Sequence, residues 1–153
     1  MHWTMIEPPP APAYVVVLDP GDEAVAQLSG FAREQDLEAA QVTAIGGFER
    51  SVVGWFDRAA GDYRHIPVAG QCEVLSLIGD IAAGADGPQI HLHAVVGLPD
   101  GTTRGGHLLE GHVWPTLEVI IREAPAHLRK TSRPDVGLAL LDVSRSGESP
   151  APQ

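Results

Sequence analysis

Three histidines, His91, His93 and His107, carry the strongest chemical signal in this sequence. His91 and His93 are two residues apart in the stretch IHLHAVVG, so in a β-strand both imidazoles project from one face, about 7 Å apart. Neutral imidazoles bind zinc and similar transition ions, and three protein ligands leave one coordination position for water, substrate or a carboxylate. The alternative interpretation is a solvated polar strand face, which is more typical of a single histidine. The spacing therefore predicts an open metal site, provided that His107 joins the pair.

The turn between two predicted strands decides whether His107 joins the other imidazoles. Residues 98–102 read LPDGT, which fits a three-residue loop with proline opening a type I turn and glycine in the left-handed position. In that register His93 faces His107, and all three imidazoles converge on one surface. A two-residue Asp-Gly loop would instead pair Ala94 with His107 and place His107 on the opposite face of the sheet. We favour the three-residue loop because the proline then occupies its preferred turn position.

The sequence does not assign a catalytic role to any acidic or nucleophilic side chain. Four carboxylates could supply a fourth ligand or a general base, but the sequence places none of them at the histidines: Glu73, Asp80, Glu110 and Glu118. Cys72 and Ser76 lie in the apolar stretch CEVLSLIGDI, which is more typical of a buried strand than of a catalytic nucleophile. We therefore reject a catalytic triad and leave any catalytic residue unassigned.

The composition indicates one acidic domain. A chain of 153 residues is long enough for a single core. Its 20 acidic and 10 basic side chains give a net charge of −10. This charge disfavours binding to phosphate backbones and anionic membranes. A lone cysteine, Cys72, excludes an intrachain disulfide and a cysteine-based zinc site. The sequence shows no secretory leader pattern and no apolar run approaching about 18 residues. We therefore expect a cytoplasmic protein.

Hydrophobic patterning predicts an α+β fold with one main helix and about seven or eight mostly antiparallel strands. The helix is expected at residues 22–35, where Asp22 can cap an apolar stripe. Separate strands are expected at 42–46 and 51–56, at 103–113 and 116–123 on either side of Pro115, and at other β-branched stretches. The proline-rich residues 1–13 are expected to form a flexible arm, residues 14–144 the domain, and residues 145–153 a tail.

Three stretches resemble the plants and prokaryotes conserved (PPC) domain family. GQCEVLSLIGDI, at residues 70–81, looks like the family's Gly-x-x-Glu-Ile-Leu-Ser-Leu strand. PDGTTRGGHLLEG, at residues 99–111, looks like its Asp-Gly turn and Gly-Gly strand, and AIGGFERSVVGWFD, at residues 44–57, resembles the segment after the helix. Their order along the chain adds weight to the resemblance, which covers about residues 14–143.

The resemblance implies a compact α+β domain that assembles as a homotrimer. Similar prokaryotic members carry a metal-binding cluster at His-x-His and Gly-Gly-His, which corresponds here to His91, His93 and His107. Plant members join the domain to an AT-hook, an Arg-Gly-Arg-Pro element that enters the DNA minor groove, and the label "DNA-binding" has spread from them. This sequence has no such element, so the resemblance does not imply direct DNA binding here.

Two functions remain open on the sequence alone. The first is a homotrimeric metal-binding module, with zinc as the expected ion, that acts in regulation through protein contacts and reaches DNA only through a partner. The second is a zinc-dependent hydrolase or lyase that acts on a small molecule, because bound zinc lowers the pKa of water or polarises a carbonyl. An enzyme needs an acid or base near the open position, and the sequence assigns none. We therefore favour the binding module.

Overall fold

The computed structural model describes residues 1–7, 12–124 and 127–146. Within these ranges the chain forms one α-helix and nine strands: β1 (His2–Glu7), β2 (Ala13–Leu18), α1 (Ala24–Glu34), β3 (Ala39–Asp57), β4 (Asp62–Val68), β5 (Cys72–Gly84), β6 (Gly87–Gly97), β7 (Thr103–Glu123), β8 (Lys130–Arg133) and β9 (Leu138–Leu141). The predicted single-domain, mostly antiparallel α+β class is confirmed. No helix in the described ranges is long and apolar enough to cross a membrane.

Seven strands form the main sheet, in the order β1-β2-β7-β6-β5-β3-β4, and every pair is antiparallel. Strand β7 also pairs with β3, so β3, β5, β6 and β7 form a closed ring of hydrogen-bonded strands. Alternate side chains of these strands are fully or almost fully buried in one hydrophobic core, among them Val42, Leu77, Leu92 and Val119. Helix α1 packs against β6 and β7. The remaining side chains of the ring therefore face outward and are available for a site.

Strands β3 and β7 are continuous where the sequence predicted breaks. The strands expected at 42–46 and 51–56 are parts of β3, and those expected at 103–113 and 116–123 are parts of β7. Strand β7 passes through Pro115 with a cis Trp114–Pro115 peptide bond. The prediction of interrupted strands was therefore wrong, because proline and glycine mark a bend in a long strand here rather than its end.

Gly46 and Gly47 allow the two long strands to pass close to each other. A Cβ atom on Gly46, whose φ is +149°, would lie 2.2 Å from the carbonyl oxygen of Thr116. A Cβ atom on Gly47 would lie 2.5 Å from the carbonyl oxygen of Trp114. Both neighbours are backbone atoms, which have little freedom to move away. The glycines that looked like a strand boundary in the sequence are therefore required by tertiary packing.

Helix α1 lies within the predicted residues 22–35 but is capped by Glu23 rather than by Asp22. The Glu23 carboxylate accepts hydrogen bonds from the backbone amide of Ala26, at 2.7 Å, and from the amide of Gly111, at 3.0 Å. One side chain thus satisfies a free amide at the helix start and ties the helix to β7. The sequence could not indicate the second bond, because Gly111 is distant along the chain.

The chain termini differ in part from the predicted arm and tail. Residues 2–7, expected in a flexible arm at 1–13, form β1 and pair with the edge of β2. The proline cluster at 8–10 lies outside the described residues, as does most of the expected tail, residues 147–153. Pairing to β2 explains β1, since an edge strand offers free backbone donors and acceptors.

Strands β8 and β9 form a separate two-stranded hairpin. The apolar stretch VGLALLDV at residues 136–143 predicts a last strand, and β9 lies within it, whereas the polar segment KTSR of β8 gives no strand signal. The hairpin is attached to β5, because the amide of Ala83 donates to the carbonyl of Leu128 at 2.8 Å and Ala83 bridges Arg129. The hairpin therefore lies beside the strand ring without joining its sheet.

The crossing of β3 and β7 gives a first prediction. We expect Gly46→Ala to lower the free energy of unfolding by about 3 kcal/mol, because its Cβ would clash with backbone of β7. Gly30→Ala is the matched control, since Gly30 lies in α1 and a Cβ there meets nothing within 4 Å; alanine should stabilise this helix by about 1 kcal/mol. Urea denaturation measures both changes, and an unchanged midpoint for Gly46→Ala would contradict the close approach.

Candidate metal centre

The loop between β6 and β7 has the predicted three-residue form. The amide of Leu98 donates to the carbonyl of Thr102 at 2.8 Å, and the amide of Gly101 donates to the carbonyl of Leu98 at 2.9 Å. Gly101 has a φ of +80°, the left-handed conformation expected of the third loop residue. His93 pairs directly with His107 as a result. The predicted register is confirmed, and the two-residue alternative is wrong.

The three imidazoles converge on the outer face of the strand ring. The Nε2 atoms of His91 and His93 are 3.1 Å apart, and the ring centroid of His107 lies 5.1 Å from that of His91 and 5.4 Å from that of His93. One nitrogen of each ring lies within 4.8 Å of the corresponding nitrogens of the other two. Ligand nitrogens bound to one zinc ion at about 2.0–2.1 Å must come this close together. The arrangement therefore suits three ligands of a single ion.

The environment of His107 also fits a ligand. Its ring stacks on Tyr63, with centroids 4.7 Å apart and planes inclined by 21°. Its Nδ1 atom is buried and has no hydrogen-bond partner within the described part of the chain. Buried polar atoms are rarely left without a partner in folded proteins. An imidazole held by stacking, with a buried nitrogen free of hydrogen bonds, is suited to act as a metal ligand.

The surroundings of His93 and His107 favour the neutral form of both imidazoles. Burial, together with smaller contributions from the charges of His91, His93 and Lys130, lowers the pKa of His107 to about 4. Partial burial, together with His91, also lowers the pKa of His93. A histidine must be neutral to offer a nitrogen lone pair to a metal ion. At neutral pH His93 and His107 are therefore in the form that binds a metal ion.

Of the four candidate carboxylates, Asp80 lies beside the cluster. Asp80 pairs with His91 across β5 and β6, and its Oδ2 atom is 3.6 Å from Nδ1 of His91. Its Oδ1 atom forms an ion pair with Nζ of Lys130 at 2.8 Å. Burial alone raises the pKa of Asp80, but the contacts with His91 and Lys130 outweigh it and hold the pKa below its ordinary value. Asp80 is therefore a charged neighbour of the cluster.

The other three carboxylates have different surroundings. Glu110 contacts Nε2 of His112 at 2.5 Å, while Glu73 and Glu118 pair with Gly97 and Ile45 in the sheet. None of these three belongs to the group of converging donor atoms found in the described residues. His112 likewise remains outside the cluster.

A cavity of about 600 Å³ opens beside the imidazoles. Besides the three histidines, its walls include Tyr63 from β4, Gln89 from β6, Lys130 from β8 and Leu138 and Leu140 from β9. The site thus combines metal-ligating nitrogens with space for a small molecule.

Sequence reasoning missed Tyr63 and Lys130 at this site. Tyr63 reaches His107 because β4 pairs with the second half of β3, whose Gly54 pairs with His107. Lys130 is the first residue of β8, a polar strand for which the sequence gave no signal. Both contacts depend on pairing between distant segments, so local spacing could not have indicated them.

Two curated relatives share part of their length with this chain. The bifunctional protein GlmU from each of two Synechococcus strains is 31% identical over 144 and 146 residues. These matches include 90% and 92% of this chain. The chain spans about a fifth of each relative's length, at 21% and 22%. The similarity therefore concerns one segment of those longer proteins.

Solved structures show the same fold. A PPC protein from Pyrococcus horikoshii is 26% identical, with a TM-score of 0.80, and the match covers 92% of this chain and 94% of that one. A metal-containing protein from Archaeoglobus fulgidus is 30% identical, with a TM-score of 0.75 and coverage of 84% and 91%. A protein from Bacteroides thetaiotaomicron whose name refers to DNA binding has a TM-score of 0.85 and coverage of 94% and 99%. Its 24% identity shows the fold alone.

The family assignment rests on a match across most of the chain. Residues 5–125 match the model of the Plants and Prokaryotes Conserved (PCC) domain, also called PPC. The matched range includes all of the closed strand ring, helix α1 and the three histidines. This chain therefore belongs to the Plants and Prokaryotes Conserved domain family.

Proposed function

We propose that this chain is a homotrimeric, metal-binding PPC module in which His91, His93 and His107 hold one zinc ion. The observation that carries the proposal is the convergence of three imidazole nitrogens within 4.8 Å of one another. Three neutral imidazoles suit zinc among the common divalent ions. A solved relative that is 30% identical is named as a metal-containing protein, which supports the same interpretation.

An exposed apolar patch supports self-assembly. Four large side chains on the outer face of β3, β5 and β7 line one shallow depression: Ile45, Leu75, Ile78 and Ile120. Their exposed fractions are 60%, 54%, 57% and 38%. Contiguous exposed apolar surface on a folded protein is typical of an interaction site. Together with the family's trimeric assembly, this favours a second copy of the chain as the partner on this patch.

The charge of the chain argues against direct contact with DNA. A net charge of −10 repels a phosphate backbone, and the sequence has no AT-hook to overcome that repulsion. We therefore propose that the module acts in regulation through protein contacts. We place it in the cytoplasm, a reducing compartment in which its lone cysteine, the buried Cys72, needs no partner.

A second candidate function is favoured by the cavity beside the imidazoles. With about 600 Å³ available, a small substrate could approach a zinc ion that retains an open coordination position. Bound zinc would lower the pKa of a water molecule or polarise a carbonyl, as in a hydrolase or lyase. Asp80 lies beside His91 but is held in an ion pair with Lys130. Because no free acid or base is assigned at the site, the enzyme ranks second.

The metal proposal predicts the zinc content of variants. Purified protein incubated with zinc and then freed of excess metal should contain about one zinc ion per chain. His93→Ala should reduce this content to below about a tenth, because two imidazoles hold zinc weakly. His112→Ala is the control, since His112 lies on β7 outside the cluster and contacts Glu110. Elemental analysis measures all three proteins, and unchanged zinc content in His93→Ala would refute the proposal.

The assembly proposal predicts the mass of the protein in solution. Sedimentation equilibrium should give the mass of three chains for the wild type. We expect Ile45→Lys to shift the mass towards one chain, because a buried, unpaired charge at a subunit interface is strongly destabilising. Val143→Lys is the matched control, since Val143 is 85% exposed and lies outside the apolar patch. A monomeric wild type, or a trimeric Ile45→Lys variant, would contradict the assignment of the interface.

The second candidate predicts that small ligands reach the metal. Cobalt can replace zinc and reports its coordination through visible absorption. If the coordination position facing solvent is open, titration with acetate should change the spectrum of the cobalt-loaded protein. His112→Ala should respond in the same way, because His112 lies outside the cluster. A spectrum that does not change at any acetate concentration would remove the enzyme candidate and leave a structural metal.

A further inference from the structure

We propose that the ion pair between Asp80 and Lys130 positions His91 as a metal ligand, so that the β8–β9 hairpin helps to set the metal affinity of the site. This inference rests on the proposed metal-binding function. The hairpin begins at Lys130, beyond the residues 5–125 that match the family model. An element outside the matched domain would thus control a site inside it.

The two ring nitrogens of His91 face different partners. Nε2 is 3.1 Å from Nε2 of His93 and so belongs to the converging donor set. Nδ1 lies on the other side of the ring, 3.6 Å from Oδ2 of Asp80. A ligating histidine whose second nitrogen donates to a carboxylate has its tautomer and ring orientation fixed, and its ligating nitrogen becomes more basic. Asp80 is in the right place to have this effect on His91.

The position of Asp80 depends on Lys130. The Lys130 side chain is only 5% exposed, and its Nζ atom is 2.8 Å from Oδ1 of Asp80. A buried ammonium group is costly unless it is paired, so this contact strongly restrains both side chains. With one carboxylate oxygen held by Lys130, the other oxygen is directed at His91. The ion pair therefore orients the carboxylate.

The hairpin in turn fixes Lys130. Lys130 pairs with Leu141 at the open end of the hairpin, and the preceding Arg129 bridges Ala83 on β5. Asp80 lies three residues before Ala83 on the same strand. The hairpin attachment and the ion pair are therefore adjacent, and displacement of the hairpin would carry Lys130 away from Asp80.

Removing the pair as a unit gives the sharpest test. The double variant Asp80→Asn, Lys130→Met keeps the size of both side chains and leaves the net charge unchanged, so no unpaired buried charge remains. We expect its zinc affinity, measured by competition with a chromophoric chelator, to fall by about 10- to 100-fold. The matched control is Asp135→Asn, Arg133→Met, which removes an exposed ion pair from the same hairpin. Its zinc affinity should equal that of the wild type.

Nitrogen NMR of the His91 ring separates positioning from general stability. In the wild type we expect the proton on Nδ1, facing Asp80, whereas the Asp80→Asn, Lys130→Met variant should show a mixture of tautomers. Thermal unfolding of both double variants checks that the chain is folded. If the wild type binds zinc and the variant keeps both its affinity and a single Nδ1-protonated tautomer, the positioning role is refuted and the metal proposal stands. If the wild type binds no zinc, the metal proposal itself fails.

Discussion

The register between β6 and β7 is the constraint on which both the core and the candidate site depend. Because side chains alternate between the two faces of a strand, the pairing of His93 with His107 also directs Leu92, Ala94 and Leu108 into the core. A slip of one residue would expose those apolar side chains and bury the imidazoles. The free energy that stabilises the core therefore also brings the three histidines together, and the contacts of His107 with Tyr63 and of His91 with Asp80 act on imidazoles that already share one face.

The same alternation places the metal site and the apolar patch on one surface. His93 pairs with Ile78, Ile78 pairs with Thr43, and Thr43 pairs with Ile120, so these side chains form one row across the outer face of the strand ring. In the proposed trimer, a neighbouring copy that covers the patch lies next to the imidazoles. Assembly and access to the metal are then linked through the outer face of one sheet.

The parts of the site that were predictable from the sequence depend on local structure. The His91 and His93 spacing requires only a strand, and the LPDGT loop sets the position of His107 over a short stretch of chain. The unpredicted parts depend on distant pairing: the continuity of β7 through Pro115, the stacking of Tyr63 and the arrival of Lys130. Local propensity correctly identified strands, but it could not show that the predicted breaks in β3 and β7 are bends within continuous strands. Those bends depend on the close crossing of β3 and β7, which is a tertiary property.

The net charge of the whole chain differs from the local charge at the histidine cluster, and this difference bears on function. The chain carries an excess of 10 negative charges, yet the side chains at the cluster are three imidazoles and an Asp80–Lys130 pair whose charges cancel. A divalent cation bound there would make this region locally positive on an otherwise acidic protein. Long-range electrostatics would then repel polyanions such as DNA, while a small anion that reached the cavity would meet a local positive charge. Long-range repulsion of polyanions, combined with local attraction of small anions, favours a metal centre that binds small ligands or contacts a neighbouring subunit over one that binds a nucleic acid.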